Sequence, residues 1–174
     1  MKINAAAELA EVLTRLGDQK IVFAESCTCG MAAAMLGEIP GISNYFCGSQ
    51  VVYRDNSKID WLDVDADYLA SVTSTSAEAS QKLAIGVLAA TPEATWSAAI
   101  TGHLGPGMPE NGKDGVVYLC IAVRVTVEEE STETECFVRA SEEFTLANSG
   151  RKSRQIEAAE FMLSNMEKYL SKFA

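Results

Sequence analysis

Ser26 lies in the stretch Phe23-Ala-Glu-Ser-Cys-Thr-Cys-Gly30, just after a short apolar run and just before a helix-forming one. A serine at a strand-to-helix turn is well placed to act as a nucleophile. The strand end fixes its position, and the free backbone N–H groups of the following turn can stabilise an oxyanion. Gly30 lets backbone approach closely, and Glu25 can fix the turn by hydrogen bonding. The competing role for Ser26 is a helix N-cap, a common use of serine.

A nucleophilic serine needs a base. The chain contains one histidine, His103, in the loop Thr101-Gly-His-Leu-Gly-Pro106. A Ser or Cys hydrolase built on His103 is one option, against a solvated loop histidine. Lys58 is the other candidate. It falls in the first turn of a short helix expected around 57–62, where the macrodipole disfavours extra positive charge. Partial burial acts in the same direction, toward the neutral amine that a general base requires. The plain alternative is a solvated surface lysine. Arg151, Lys152 and Arg154 open the last helix, where cations oppose the dipole. An anion would explain them, since helix-terminal N–H groups and guanidinium forks together hold phosphate. Otherwise they splay into solvent or pair with surface carboxylates.

Two motifs lead nowhere. Gly107-Met-Pro-Glu-Asn-Gly112-Lys113 has phosphate-loop spacing, but Asp114 stands where Ser or Thr would hold magnesium. A strand-like run, Val116-Val-Tyr-Leu, follows it instead of a helix, so a nucleotide triphosphatase is rejected. Cys27 and Cys29 form a lone C-x-C pair, which is weak evidence for a metal site.

The elements that must position these residues read as follows. Ile3, Ala6, Ala10, Leu13 and Leu16 recur at helical spacing, with Gly17 as a stop. Residues 20–24 form a buried strand, 31–36 a helix broken by Pro40-Gly41, and 45–53 a strand. Asp55-Asn56-Ser57 offers a cap for the helix around 57–62. Thr75-Ser-Ala-Glu78 has capping-box spacing, which predicts a helix to about Ala90. Strands are expected at 96–101, 116–127 and near 136–139, with a Gly/Pro-rich loop at 102–115 and a polar turn at 128–132. The last helix carries Ile156, Ala159, Leu163, Met166, Leu170 and Phe173 on one face, as core or as a subunit interface. This order predicts an α/β fold, a three-layer α/β/α domain with a mixed, partly antiparallel sheet.

With 174 residues, the chain fits a single domain spanning 1–174. Apolar residues make up 48% and charged residues 22%, an ordinary globular balance. The net charge of −10 argues against nucleic-acid or anionic-membrane partners. It leaves room for a small anionic ligand. The five cysteines are odd in number and mostly in apolar stretches, and Met1-Lys-Ile-Asn does not begin a signal peptide. No apolar run reaches membrane-spanning length, so a reduced, cytoplasmic setting is expected.

Taken together, these segments resemble the CinA carboxy-terminal domain family, whose members include nicotinamide mononucleotide amidohydrolases. The resemblance runs from about residue 4 to 172. Ala24-Glu-Ser-Cys-Thr28 followed by Gly30 resembles the family's Ala-Glu-Ser-Cys-Thr-Gly-Gly motif. Ile39-Pro-Gly-Ile-Ser43 is similar to its Val-Pro-Gly-Ser-Ser segment, and Val52-Tyr-Arg-Asp-Asn-Ser-Lys58 to its Ala-Tyr-Ser-Asn-x-x-Lys segment. Thr101-Gly-His-Leu-Gly-Pro106 resembles Thr-Gly-Ile-Ala-Gly-Pro, and Lys113-Asp-Gly-Val-Val-Tyr118 resembles Lys-Pro-x-Gly-x-Val. The resemblance implies that Ser26 is the acyl nucleophile, Lys58 its base and Tyr53 an aid to proton transfer. It implies that Thr28, Gly30, Thr101, Gly102 and Gly105 border a small nucleotide substrate. Arg151 or Arg154 would bind its phosphate. The reaction implied is hydrolysis of a carboxamide to a carboxylate and ammonia, with no cofactor and no metal, in a homo-oligomer.

Three single positions and one short segment depart from the family pattern. Cys29 stands for the first glycine of the Gly-Gly pair, His103 for a loop apolar residue and Asp114 for a proline. Thr73-Ser-Thr-Ser76 stands for Gly-Ala-Val-Ser. These changes cluster around the expected pocket, so they narrow the substrate range or abolish activity. The alternative function is therefore a catalytically inactive relative acting as a nucleotide-binding or regulatory module.

Overall fold

Strand β1, Ile21–Glu25, is buried along its whole length and feeds both faces of the sheet. In the computed structural model, which describes residues 4–107, 113–126 and 134–174, it lies near the middle of five strands. Its neighbours are β2 (Phe46–Val51) on one side and β3 (Trp96–Gly102) on the other, both parallel to it. Beyond β3 come β4 (Val116–Thr126) and the edge strand β5 (Thr134–Thr145), each antiparallel to the strand before it. The sheet order is β2-β1-β3-β4-β5.

The two-residue alternation of β1 sorts the layers. Ile21 and Phe23 enter a core with α1 (Ala5–Leu16), α2 (Met31–Gly37) and α6 (Arg151–Leu170). Val22 and Ala24 enter an opposite core with α5 (Ala77–Ala89), joined by Leu62 of α3 (Asp55–Leu62) and Leu69 of α4 (Ala66–Val72). The result is the expected three-layer α/β/α arrangement with a mixed sheet. Strands covered on both faces read as near-continuous apolar runs, which is how β1 and β3 appear in the sequence.

Several boundaries differ from expectation for local reasons. Helix α3 starts at Asp55 with Arg54 at the N-cap and no side-chain cap, so Asp55 lies inside the first turn. For α5, Ser76 and not Thr75 caps the helix, accepting from Ala79 N–H at 3.1 Å. Helix α4 was not foreseen: it is seven residues long with one buried residue, Leu69, too short to show a period. Its readable signal was Asp65, which caps Tyr68 N–H at 2.6 Å. Strand β5 is much longer than 136–139, but it is an exposed edge without an apolar pattern. The polar turn at 128–132 and most of the phosphate-loop-like segment lie outside the described residues.

The apolar seam of α6 is core within this chain. Ala159, Leu163, Met166 and Leu170 are fully buried, and Ala158 and Met162 widen the stripe. Ile156 is half-buried, and Phe173 lies beyond the helix end and is exposed. On the other face, α5 approaches α3 at Gly86, where an added Cβ would sit 2.4 Å from Leu62 O. That contact buries the end of α3. Lys58, one turn before Leu62 on the same side, is carried inward with it and is only 2% exposed.

Candidate functional site

The chain runs from β1 to β2 on one side and later to β3 on the other. The C-terminal ends of these parallel strands therefore diverge between β1 and β3. Ligands of open α/β sheets bind in the crevice at such a switch point. Here the crevice is a cleft of about 510 Å³ that receives Ser26 from the end of β1, Gly102 and His103 from the end of β3, and Tyr53 from beyond β2. Lys58 reaches it from α3 and Arg151 from α6.

Ser26 is buried at 7% and does not cap a helix. The N-cap of α2 is Gly30, in the left-handed region at φ 88, which has no side chain to offer. Glu25 supplies the missing acceptor. Its carboxylate accepts from Ala32 N–H and Ala33 N–H, each at 3.0 Å, and from Ser49 Oγ at 3.0 Å. The role foreseen for Glu25 is thus observed, and Ser26 Oγ is left facing the cleft with no partner among the described residues. Ser26 N–H continues the strand ladder to Ile100 O at 3.0 Å, so it is not an oxyanion donor. Among the described residues, the N–H groups of Cys27 and Thr28 donate to no carbonyl. They sit against the Cys27 thiol, which burial pushes up to about 12 although both N–H groups pull it down. Cys27 is therefore a protonated thiol at neutral pH and no rival nucleophile.

Lys58 Nζ donates to Asp55 Oδ1 at 2.7 Å. No hydrogen bond joins Nζ to Ser26 Oγ among the described residues. The sequence offers Asp55 as a helix cap, and its three-residue spacing from Lys58 is the signal for the ion pair seen here. Tyr53 OH accepts from Arg151 Nη2 at 2.6 Å, and Arg151 Nη1 donates to Gly105 O at 2.8 Å. Tyr53 and Arg151 thus meet across the cleft.

Arg154 is placed differently. It forms a two-pronged pair with Asp114, at 2.7 and 3.0 Å, and lines an adjacent hollow with Gly105 and Pro106. The Arg154 guanidinium beside Asp114 holds that carboxyl below its usual value. Of the two arginines, Arg151 is the one in the cleft. Thr28, Gly30 and Thr101, expected to border the substrate, do not line the cleft: Gly30 is taken up as the N-cap of α2, and the two threonines lie behind the cleft residues. Thr28 is fully buried with Oγ1 unpartnered, and its carbonyl accepts from Gln155 Nε2 at 2.8 Å. Thr101 Oγ1 donates to Ser74 O at 2.7 Å, tying the loop before α5 to β3.

The departures at 29, 103 and 114 have clear positions. Cys29 is exposed, adopts φ 53 and does not line the cleft, so it does not crowd Ser26. His103 lines the same cleft as Ser26 and Cys27, and its Nδ1 accepts from Gly105 N–H at 3.2 Å. Ser74 and Thr75, from the departing segment 73–76, line it as expected, and Arg54 and Asn56, not named as site residues from the sequence, line it too.

The family model for the CinA C-terminal domain matches residues 3–156. A CinA-like protein from Cyanothece sp. is 40% identical over 124 residues, 69% of this chain and 29% of that protein. One from Myxococcus xanthus is 39% identical over 119 residues, 67% of this chain and 28% of that protein. The match thus spans less than a third of these curated relatives. Among solved structures, competence damage-inducible protein A from Klebsiella pneumoniae superposes with a TM-score of 0.82 at 23% identity, covering 98% of this chain and 97% of its own. A competence/damage-inducible protein from Agrobacterium tumefaciens gives 0.79 at 23% identity, covering 98% and 99%. These structures speak to the fold, and the sequence matches speak to descent: the chain belongs to the CinA C-terminal domain family.

Proposed function

We propose that the cleft hydrolyses the carboxamide of nicotinamide mononucleotide or a close nucleotide amide to the carboxylate, releasing ammonia. The observation that carries this reading is the convergence of Ser26, Lys58 and Arg151 on one crevice at the strand switch point. Ser26 Oγ attacks the amide carbon as its proton passes to Lys58 Nζ, and Asp55 offsets the charge that Lys58 gains. The N–H groups of Cys27 and Thr28, which donate to no carbonyl among the described residues, are assigned to hold the oxyanion. The tetrahedral adduct collapses, and ammonia leaves with the proton returned from Lys58. Water then attacks the Ser26 ester, giving up a proton to Lys58; as the adduct collapses Lys58 returns that proton to Ser26 Oγ, and the acid product leaves and ionises to the carboxylate. Arg151 takes the substrate phosphate, exchanging it for its contacts with Tyr53 and Gly105.

A second reading, a nucleotide-binding or regulatory module without turnover, is favoured by one contact: Lys58 Nζ is bonded to Asp55 and not to Ser26. Ammonia release from the mononucleotide by wild type, Ser26→Ala and Lys58→Ala separates the two. The amidohydrolase reading expects release by wild type and a loss of at least about a hundredfold in each variant. A ligand-induced rise in melting temperature with background release in all three supports the module instead.

A further inference from the structure

A second hollow of about 450 Å³ opens beside the cleft and shares Tyr53, Arg54 and Asn56 with it. Its far wall is Trp61, 58% exposed, and Tyr53 at the join is 50% exposed. An exposed indole that lines a hollow offers a flat apolar face to a ligand. No ring of the described residues packs on Trp61. The Arg54 guanidinium makes no ion pair or hydrogen bond among the described residues, although Asp55 and Asp60 are close in sequence. Asp60 also lines the hollow.

We infer that this hollow takes a second nucleotide unit, so that the preferred ligand of the joined sites is a dinucleotide. The inference rests on the nucleotide reading of the cleft. Each group on the wall suits one part of such a unit. The indole face of Trp61 stacks a base, which is effective for any base with a π-face. Arg54, lying at the join, meets the bridging phosphates as a guanidinium fork. Asp60 accepts from ribose hydroxyls, the use made of acidic residues in dinucleotide sites. Arg54 lies where the two hollows join and Asp60 and Trp61 line only the outer one, which matches bridging phosphates at the join and a ribose and base beyond it.

Titration calorimetry with Ser26→Ala protein, which prevents turnover, tests this with nicotinamide mononucleotide, nicotinamide adenine dinucleotide and adenosine monophosphate as probes. The dinucleotide is expected to bind about tenfold tighter than the nicotinamide mononucleotide, as one stacked base allows. Adding Trp61→Ala or Arg54→Ala should cut that advantage to below about threefold. Adenosine monophosphate alone should bind and quench tryptophan emission, with the quench lost on Trp61→Ala. Equal affinity for mononucleotide and dinucleotide overturns the inference, as does an advantage that survives both substitutions. So does dissociation of an oligomer by Trp61→Ala in sedimentation, which would make the exposed indole a subunit contact. The two readings fail separately. No Ser26-dependent ammonia release by wild type removes the hydrolase, whereas saturable adenosine monophosphate binding that needs Trp61 still supports the hollow.

Discussion

Glu25 decides what Ser26 is free to do. Because the carboxylate of Glu25 caps α2 from the preceding strand, no hydroxyl is needed at the helix start. Glu25→Ala leaves two N–H groups at the start of α2 without an acceptor, so a loss of about 3 kcal/mol is expected in urea unfolding, with Glu25→Gln milder. Cys29 occupies a left-handed backbone position that glycine adopts without strain. Cys29→Gly is expected to raise stability by up to about 1 kcal/mol. It should leave turnover within about twofold, because the side chain lies outside the cleft. Alkylation mapped by mass spectrometry at neutral pH should modify exposed Cys29 well before Cys27, whose buried thiol is pushed up to about 12. At this scale the sequence was partly legible. Residue type and position single out Ser26 and Lys58, and the family resemblance adds Tyr53, all three of which line the cleft, while the Asp55 partner of Lys58 was hidden by its likeness to a helix cap.

Helix contacts set how well those residues are held. Gly86 touches the last carbonyl of α3 so closely that Gly86→Ala must push α3 away, at a cost of about 1–3 kcal/mol by thermal unfolding. Lys58 rides on α3, so the same change should lower activity beyond its effect on folding. The start of α6 is tied by Glu157, whose carboxylate accepts from Ala147 N–H and Asn148 N–H at 2.8 and 2.9 Å. Burial tends to raise that carboxyl, but the N–H donors outweigh it and hold it below its ordinary 4.5. A lowered carboxyl contributes stability above its unfolded value, which is lost as pH falls through the folded one. Stability should therefore decline below pH 4.5, and Glu157→Gln should flatten that part of the profile. Long periodic elements such as α6 could be read from the chain. The seven-residue α4 and the exposed β5 could not, because one buried leucine or a solvated edge leaves no period to detect.

Across the whole molecule, an acidic chain gathers Arg151, Lys58 and Arg54 at one crevice where parallel strands part. The layer order followed from the alternation of strands and helices, and the switch point follows from the sheet order. What the chain did not disclose was which arginine faces the crevice. Arg151 and Arg154 are three residues apart, and Arg154 is drawn aside by the distant Asp114 and by the carbonyls of Asn148 and Leu104. On the proposed amidohydrolase reading, Ser26 and Lys58 act as one nucleophilic unit. Residues that act as a unit are non-additive when removed. The most direct measurement is kcat/KM for ammonia release from nicotinamide mononucleotide by Ser26→Ala, Lys58→Ala and the double variant. A loss of about a hundredfold or more is expected in each single variant, with the double variant no worse than the poorer single. Wild-type activity in Ser26→Ala, or losses that multiply in the double variant, would contradict it.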